Sequence, residues 1–295
     1  MSQTEENLSL SPKIDTLAII GAGTMGHGIA HVAALAGYEV FLFDVNAEAV
    51  ERGVMSIKRN FAKGIERGKV TEEERDRAFE RIRATTDLSD MRAADLFIEA
   101  VPEVMDLKRE TLRRIEEVAE SGSFIFASNT SSLSITEIAK ASRRPECVVG
   151  MHFFNPVHLM RLVEIVVGKE TSEGTLTRVR EVAARLKKEP ITVRDVPGFA
   201  SSRLGVALGL EAMRMLEQEV ASAKDIDTAM ELGYNHPMGP LRLTDLVGLD
   251  VRLKIAEYLH GTLGSESFRP PEILRRMVAE GKLGKKTGEG FYHWS

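Results

Sequence analysis

The chain has 295 residues, of which 43% are hydrophobic and 28% are charged, as expected for a globular protein of one large or two moderate domains. Its 39 basic and 44 acidic residues give a net charge of −5, which supplies no electrostatic argument for binding nucleic acid. A single cysteine, Cys147, excludes an internal disulfide framework and a cysteine-based zinc site, and we expect no metal ion.

The N-terminal residues carry no targeting signal that we recognise. Residues 1–12 are polar, with neither the apolar stretch of a signal peptide nor the Arg-rich face of a transit peptide, and we expect a loose tail. No apolar run reaches the ~18 residues needed to cross a bilayer. The sequence therefore predicts a cytoplasmic protein with neither a membrane nor a nucleic acid as a partner.

The first part of the chain alternates short apolar runs with helical patterns. Strands are predicted at 16–20, 39–44, 95–99, 124–127, 147–153 and 162–167. Helices are predicted at 25–36, 47–67, 71–83 and 104–120, with a short one after Ser134, where Ser134 and Glu137 have capping-box spacing. This alternation predicts an α/β fold, a doubly wound parallel sheet with helices on both faces.

The pattern changes near residue 197. Beyond it only helical patterns remain, at 198–219, 224–232, 239–247, 249–259 and 271–279, separated by glycine and proline. We therefore predict an α/β domain at 13–196 and a smaller all-helical C-terminal domain at 197–295.

A G-x-G-x-x-G motif follows the first predicted strand and opens the first predicted helix. In this context Gly21 permits a tight turn, Gly23 lets the backbone approach a pyrophosphate, and Gly26 lets helix and strand pack closely. Asp44 ends the second strand, where a carboxylate can bind the ribose hydroxyls and repel a 2′-phosphate. The motif predicts a Rossmann-type domain that binds NAD rather than NADP, with these contacts: Gly21, Gly23, Thr24, Met25, Gly26 and Asp44.

Polar residues near the later strand ends are candidates for chemistry. Oxidation of an alcohol requires a base, a donor that holds the oxygen and a partner that orients the base, and His152, Ser131 and Glu164 can fill these roles. A turn at Asn155-Pro156 could bring His152 and Glu164 together in a hairpin. The residues alone also allow His152 to be a core histidine and Ser131 to be a helix cap, although Ser134 is the better cap.

The chain resembles the L-3-hydroxyacyl-CoA dehydrogenases, including the bacterial 3-hydroxybutyryl-CoA dehydrogenases. The matching stretches are GAGTMGHGIA (21–30), EAVPE (99–103), ASNTSSLSIT (127–136), GMHFFNP (150–156), LVEIV (162–166), PGF (197–199), NHPMGPLRLTDLVGLD (235–250) and GKKTGEGFY (284–292). The resemblance implies reversible oxidation of an L-3-hydroxyacyl-CoA to the 3-oxoacyl-CoA, with transfer of a hydride to NAD⁺.

The resemblance also implies residue roles. His152 matches the catalytic base, Glu164 its carboxylate partner, and Ser131 the residue that contacts the substrate oxygen. Asn155 matches an asparagine beside the nicotinamide and the reacting carbon. The resemblance further implies cofactor contacts from Glu103 and Lys108.

One position departs from the family pattern, and the departure concerns substrate binding rather than the catalytic base. The boundary segment usually reads Pro-Gly-Phe-x-x-Asn-Arg, and here Ser202 replaces the asparagine that commonly lies near the substrate carbonyl. A hydroxyl is shorter and offers fewer hydrogen bonds than an amide. We retain Ser202 as a substrate contact and expect an altered substrate preference or rate.

Two basic clusters are candidates for the cofactor and coenzyme A. Lys63 and Lys69, with Arg67, match the region that binds the CoA phosphates in the family, although Glu66 lies among them. Near the C-terminus, the resemblance implies that Lys286 reaches the cofactor cleft. A solvated charged surface is the alternative for both clusters.

The helical domain is rich in Leu, Met and Ala, and the resemblance implies a homodimer formed through it. Two other functions remain open from the residues. One is a different NAD-dependent alcohol oxidation, such as a sugar-acid (gulonate-type) dehydrogenase. The other is a non-catalytic NAD-binding or structural protein. Replacement of His152 by alanine would distinguish an enzyme from a non-catalytic protein, since only an enzyme would lose turnover.

Overall fold

The computed structural model describes residues 13–120 and 124–294, so the tail predicted at 1–12 lies outside the described residues. The chain divides into two compact units, one ending at Asp195 and the other beginning at Val196. No helix in the described ranges is long and apolar enough to span a bilayer.

The first unit is built on one eight-stranded sheet. Its strands are β1 (Thr16–Ile20), β2 (Glu39–Phe43), β3 (Ile82–Thr85), β4 (Leu96–Glu99), β5 (Ile125–Ser128), β6 (Val148–Phe153), β7 (Leu162–Val167) and β8 (Glu189–Arg194). They lie in the order β3-β2-β1-β4-β5-β6-β7-β8, and only the β6–β7 pair is antiparallel. The first six strands in this order have the Rossmann arrangement, which confirms the predicted α/β fold.

Helices connect the parallel strands of this unit. They are α1 (Thr24–Leu35), α2 (Ala47–Glu66), α3 (Glu72–Glu80), α4 (Met105–Val118), α5 (Ile135–Ala139) and α6 (Glu173–Arg185). Side chains cap several of them: Asn46 accepts hydrogen bonds at the start of α2, and Thr71 forms a capping box with Glu74 at the start of α3. At α5 the Ser134 hydroxyl accepts from Glu137 N, but the Glu137 carboxylate pairs with Arg109 instead of completing the box.

One helix ends earlier than predicted from sequence, and three elements were not predicted. The helix predicted at 71–83 ends at Glu80, and Ile82–Thr85 pairs with β2 as an edge strand. No element was predicted between 168 and 196, where α6 and β8 lie. Both missed strands are sheet edges whose side chains are largely exposed, so they lack the buried apolar runs by which the central strands were recognised.

The core of the first unit surrounds the central strands. Strands β4, β5 and β6 are buried at every residue, as expected for strands covered on both faces. Side chains from α1 and α2, including Ile29, Ile57 and Phe61, are sealed against this sheet. The packed sheet fixes the positions of the strand ends, where the candidate functional residues lie.

The second unit is helical, which confirms the predicted all-helical C-terminal fold. Its helices are α7 (Ser201–Glu217), α8 (Ala223–Gly233), α9 (Pro240–Val247), α10 (Leu249–Leu263) and α11 (Glu272–Ala279). The unit has its own apolar core, in which Val206, Leu210, Leu241, Leu249 and Leu274 are fully buried. Burial of each helix's apolar face in this core accounts for the helical spacing in the sequence.

Candidate active site

The turn from β1 into α1 requires glycine at two positions. Gly21 has φ +102°, and a side chain there would place its Cβ 2.7 Å from Ala100 O. At Gly26 a Cβ would lie 1.6 Å from Gly21 O, so the helix packs directly on the turn. Gly23 faces open space, with no heavy atom within 4 Å of where its Cβ would be. The turn therefore leaves room for a ligand to approach the backbone.

The start of α1 has the features of an anion site. Its N-cap is Gly23, no side chain caps it, and its first turn has no acidic residue. The N–H groups there and the positive end of the helix dipole are thus available to a phosphate. Beside it, the Asp44 carboxylate is held by hydrogen bonds from Ala22 N at 3.0 Å and Asn46 N at 3.2 Å.

A cleft of about 600 Å³ lies over this turn. Five of the six residues predicted from the motif line it, namely Gly21, Gly23, Thr24, Met25 and Asp44. Its other walls are mostly apolar, including Ile20, Phe43 and Leu107. An apolar cleft with a phosphate site at one point and a carboxylate at a strand end fits an adenosine dinucleotide.

A buried ionic network lies at the ends of β4 and β5. Lys108 is only 1% exposed, and its Nζ is 2.7 Å from Glu99 Oε1 and 3.3 Å from Glu103 Oε2. The other oxygen of Glu99 accepts from the Ser128 hydroxyl at 2.6 Å. Lys108 thus holds Glu103 in position, and its own expected contact with the cofactor stays a prediction.

Ser131 lies beside Glu103. One Glu103 oxygen, Oε1, accepts from Ser131 N at 3.0 Å and from the Thr130 hydroxyl at 2.6 Å. Burial raises the pKa of Glu103, but the charge of Lys108 and these hydrogen bonds outweigh it and lower that pKa below its ordinary value. Glu103 is therefore an anion at neutral pH and orders the loop that carries Ser131.

His152 and Glu164 form a buried pair across the antiparallel strands β6 and β7. They are direct partners in the register, and His152 Nδ1 is 2.7 Å from Glu164 Oε2. Glu164 is fully buried and His152 is 7% exposed. The Phe154 ring lies against the imidazole, with ring centroids 4.5 Å apart. A buried carboxylate in this position fixes both the orientation and the tautomer of the ring.

A second cavity, of about 330 Å³, adjoins the glycine turn and carries positive charge. Asn155 lines it together with Thr24 and the predicted CoA-binding residues Lys63 and Arg67. Lys69 lines a neighbouring cavity of about 380 Å³ that shares Lys63 and Arg67. The geometry thus brings Asn155 next to the α1 N-terminus and groups the three basic residues of this region.

His31 is a buried histidine in the wall of the same cavity. It stacks on Phe61 with ring centroids 4.1 Å apart, and its Nδ1 has no hydrogen-bond partner among the described residues. Burial, reinforced by the charges of His158, His27 and Lys188, lowers the pKa of His31 to about 4. The folded protein therefore holds this ring neutral.

The His31→Phe variant tests this effect. Because the folded pKa lies below the unfolded value near 6.5, the neutral ring contributes stability above pH 6.5 that is lost as pH falls towards 4. This shift in the pKa of His31 corresponds to about 3 kcal/mol of unfolding free energy. Phenylalanine keeps the stacking on Phe61 but cannot titrate. We therefore measure the free energy of unfolding by urea titration between about pH 7 and pH 4, a range that spans the two pKa values. It should fall less steeply with decreasing pH in the variant than in the unmodified protein. Equal slopes would contradict the assignment.

Ser202 and Lys286 lie in the second unit. Ser202 is in the first turn of α7 and is partly exposed. Lys286 Nζ lies 2.5 Å from Asp250 Oδ1, so its charge is engaged within this unit. The expected contacts of both residues with substrate and cofactor stay predictions.

Two residues near the site, Glu99 and Asn129, were not identified from sequence. Glu99 completes the network around Lys108, and Asn129 Oδ1 accepts from Phe153 N at 2.9 Å, which ties the ends of β5 and β6 together. A glutamate ending an apolar strand was the available signal for Glu99. The role of Asn129 depends on strand order and has no local signal.

The fold and the site together define a dinucleotide-binding oxidoreductase. The model of the 3-hydroxyacyl-CoA dehydrogenase NAD binding domain matches residues 16–196, and that of the C-terminal domain matches residues 198–294. The chain therefore belongs to the 3-hydroxyacyl-CoA dehydrogenase family, and its cofactor is NAD.

Individual relatives agree with this assignment. A probable 3-hydroxybutyryl-CoA dehydrogenase of Bacillus subtilis is 44% identical, over 96% of this chain and 98% of its own. The structure of (S)-3-hydroxybutyryl-CoA dehydrogenase PaaH1 from Ralstonia eutropha is similar with a TM-score of 0.93 and 42% identity, covering 96% of this chain and all of that chain. FadB2 of Mycobacterium tuberculosis also has a TM-score of 0.93, at 41% identity and the same coverage.

Proposed function

We propose that this enzyme interconverts a short-chain L-3-hydroxyacyl-CoA, of the 3-hydroxybutyryl type, and the 3-oxoacyl-CoA. The observation that carries the proposal is the buried His152–Glu164 pair, since alcohol oxidation needs an oriented base at a site shielded from water. The names of the Bacillus subtilis and Ralstonia eutropha relatives support the choice of substrate.

His152 is the proposed general base. Its Nδ1 is engaged with Glu164, so Nε2 takes the hydroxyl proton of the substrate. As that proton leaves the oxygen, a hydride leaves C3, and bound NAD⁺ is the hydride acceptor. Glu164 stabilises the resulting imidazolium, while Ser131 donates to the substrate oxygen and Asn155 orients the reacting carbon. In the reverse direction His152 returns the proton as a general acid.

The charged and apolar surfaces of the chain fit the proposed partners. Lys63, Arg67 and Lys69 are exposed cations grouped around two cavities, and they are the proposed ligands of the CoA phosphates. The second unit exposes large apolar side chains, among them Leu204 at 72% and Leu232 at 83%, which supports a homodimer formed through this unit. We place the enzyme in the cytoplasm.

Steady-state oxidation of NADH with acetoacetyl-CoA tests the proposal. We expect turnover of the thioester but not of free acetoacetate, because only the thioester carries the phosphates that the basic residues bind. NADPH should be a poorer cofactor, by roughly 100-fold, because Asp44 repels the 2′-phosphate. Tight binding of NADH without turnover of any thioester would overturn the proposal and direct attention to sugar acids.

A further inference from the structure

Two cavities of the first unit share a wall that carries only positive or neutral side chains. They are the neighbouring cavities of about 330 and 380 Å³, and both are lined by Asn60, Lys63, Arg67, His158 and Leu159. Among the described residues, no aspartate or glutamate lines either cavity, and Glu66, which lies between two of these cations in the sequence, is not part of the wall. A wall of this composition attracts anions.

The cations of this wall are not neutralised by the protein. Within residues 13–120 and 124–294, the side chains of Lys63, Arg67 and Lys69 form no salt bridge and no hydrogen bond. The ring of His158 makes no hydrogen bond in those ranges either, and its ring contact is with His31, at 5.6 Å between centroids. Exposed cations without carboxylate partners, gathered around one space, suit the binding of phosphate groups.

His158 is held in this wall by the loop between β6 and β7. The Lys188 ammonium, only 8% exposed, donates hydrogen bonds to Val157 O and, at 2.7 Å, to Met160 O. Val157 packs directly on α1, where a Cβ at Gly28 would lie 2.9 Å from Val157 Cγ2. These contacts fix the loop on either side of His158, while the imidazole itself stays exposed to a ligand.

The groups that face His158 all disfavour a charge on its ring. They are His27 and His31 from α1, Lys63 and Arg67 from α2, and Lys188 from the turn before β8. Glu189 follows Lys188 in the chain but pairs with Arg161 at 2.5 Å. Burial, followed by these positive charges, lowers the pKa of His158 below its ordinary value. A phosphate dianion among the cations reverses the sign of the local field and offers the imidazole an acceptor, so it favours the protonated ring.

We propose that His158 is a ligand of the 3′-phosphate of coenzyme A and takes up a proton from solvent as this phosphate binds. The inference rests on the proposed function, in which only Lys63, Arg67 and Lys69 hold the CoA phosphates, and it adds a ligand that becomes charged on binding. The 3′-phosphate is a monoester and carries roughly two negative charges at neutral pH, more than either phosphate of the pyrophosphate. It is therefore the group best able to raise the proton affinity of His158.

Calorimetric titration with CoA measures the proton directly. The enzyme is saturated with NAD⁺, which keeps CoA out of the cofactor cleft, and the titration is repeated in two buffers of different ionisation enthalpy. We expect net uptake of roughly half a proton per CoA near pH 7, and a Kd that rises by roughly two- to threefold between about pH 7 and pH 8. Lysine and arginine are charged already, so a site made of them alone gives no uptake, or releases the last proton of the phosphate. Zero exchange or net release would therefore overturn the inference.

Two substitutions of His158 separate its charge from its polarity. His158→Gln keeps a polar side chain that cannot be protonated, so it should lose the proton uptake and raise the Kd for CoA near neutral pH by roughly tenfold. His158→Lys carries a permanent charge, so it should bind CoA at least as tightly as the unmodified enzyme but without proton uptake. Persistence of the uptake in His158→Gln would contradict the assignment. His293→Gln, which replaces an exposed histidine of the second unit, should change neither quantity.

Dephospho-CoA, which lacks only the 3′-phosphate, shows which phosphate His158 binds. It should bind more weakly than CoA, without proton uptake, and with the same Kd to the unmodified enzyme and to His158→Gln. Proton uptake with dephospho-CoA equal to that with CoA would exclude the 3′-phosphate as the ligand of His158.

A failure of the proposed function gives a different result. If CoA binds with a proton uptake that is lost in His158→Gln, but no thioester is reduced, the role of His158 stands and the proposed function is wrong. Turnover of acetoacetyl-CoA without proton uptake on CoA binding overturns only the inference. Absence of CoA binding overturns both.

Discussion

Replacing His152 by glutamine is expected to lower kcat for acetoacetyl-CoA reduction by up to about 10⁴-fold. Glutamine fills a similar volume beside Phe154 and keeps a polar group opposite Glu164, but its amide neither accepts nor releases a proton at neutral pH. The loss should appear in kcat in both directions of the reaction, because the same residue is base in one direction and acid in the other. Steady-state kinetics with saturating NADH or NAD⁺ measures it.

A second histidine–glutamate pair supplies the control. His260 Nε2 lies 3.3 Å from Glu266 Oε1 in the second unit, with both side chains more exposed than those of the catalytic candidates. His260→Gln should leave kcat unchanged. NADH affinity of His152→Gln should also be unchanged, since His152 is absent from the lining of the cleft over the glycine turn. If His152→Gln kept more than a tenth of kcat, general acid–base catalysis by His152 would be excluded.

The sequence was most informative where function depends on local order. The glycine motif could be recognised because strand, turn and helix are consecutive in the chain, and the structure shows the close contact of Gly26 with Gly21 that this motif requires. The opposition of His152 and Glu164 could also be predicted, because a hairpin sets its register through a short connection. Both depend on residues close together in sequence.

Features that depend on strand order or on a neighbouring helix could not be predicted. Glu103 contacts Ser131, 28 positions later, because β4 and β5 are adjacent and parallel in the sheet. Arg252 lies on α10, and its local sequence does not show that Gly205 and Gly209 of α7 pack against its side chain. The edge strands β3 and β8 lack a buried pattern and depend on pairing with an existing sheet.

Replacing Glu164 by glutamine is expected to lower kcat by roughly 10³-fold with little change in KM. Glutamine has the same shape as glutamate, and the folded variant does not bury a charged carboxylate at this position. However, an amide opposite Nδ1 gives little stabilisation to a cationic imidazole, and its NH₂ group can hold the ring in the wrong tautomer. Circular dichroism and Tm should confirm that β6 and β7 remain paired. Glu266→Gln, in the exposed pair, is the matched control.

The double variant shows whether Glu164 acts through His152. If the carboxylate only orients and stabilises the imidazole, removing it from an enzyme that already lacks His152 has no further effect, so the double variant should be as slow as His152→Gln alone. If the fold-loss of kcat in the double variant equalled the product of the two single losses, Glu164 would act independently of His152, on the substrate or on the strand pair. Such a result would contradict the proposed pairing even if each single variant were slow, because non-additivity is the property that separates a coupled pair from two separate contributions.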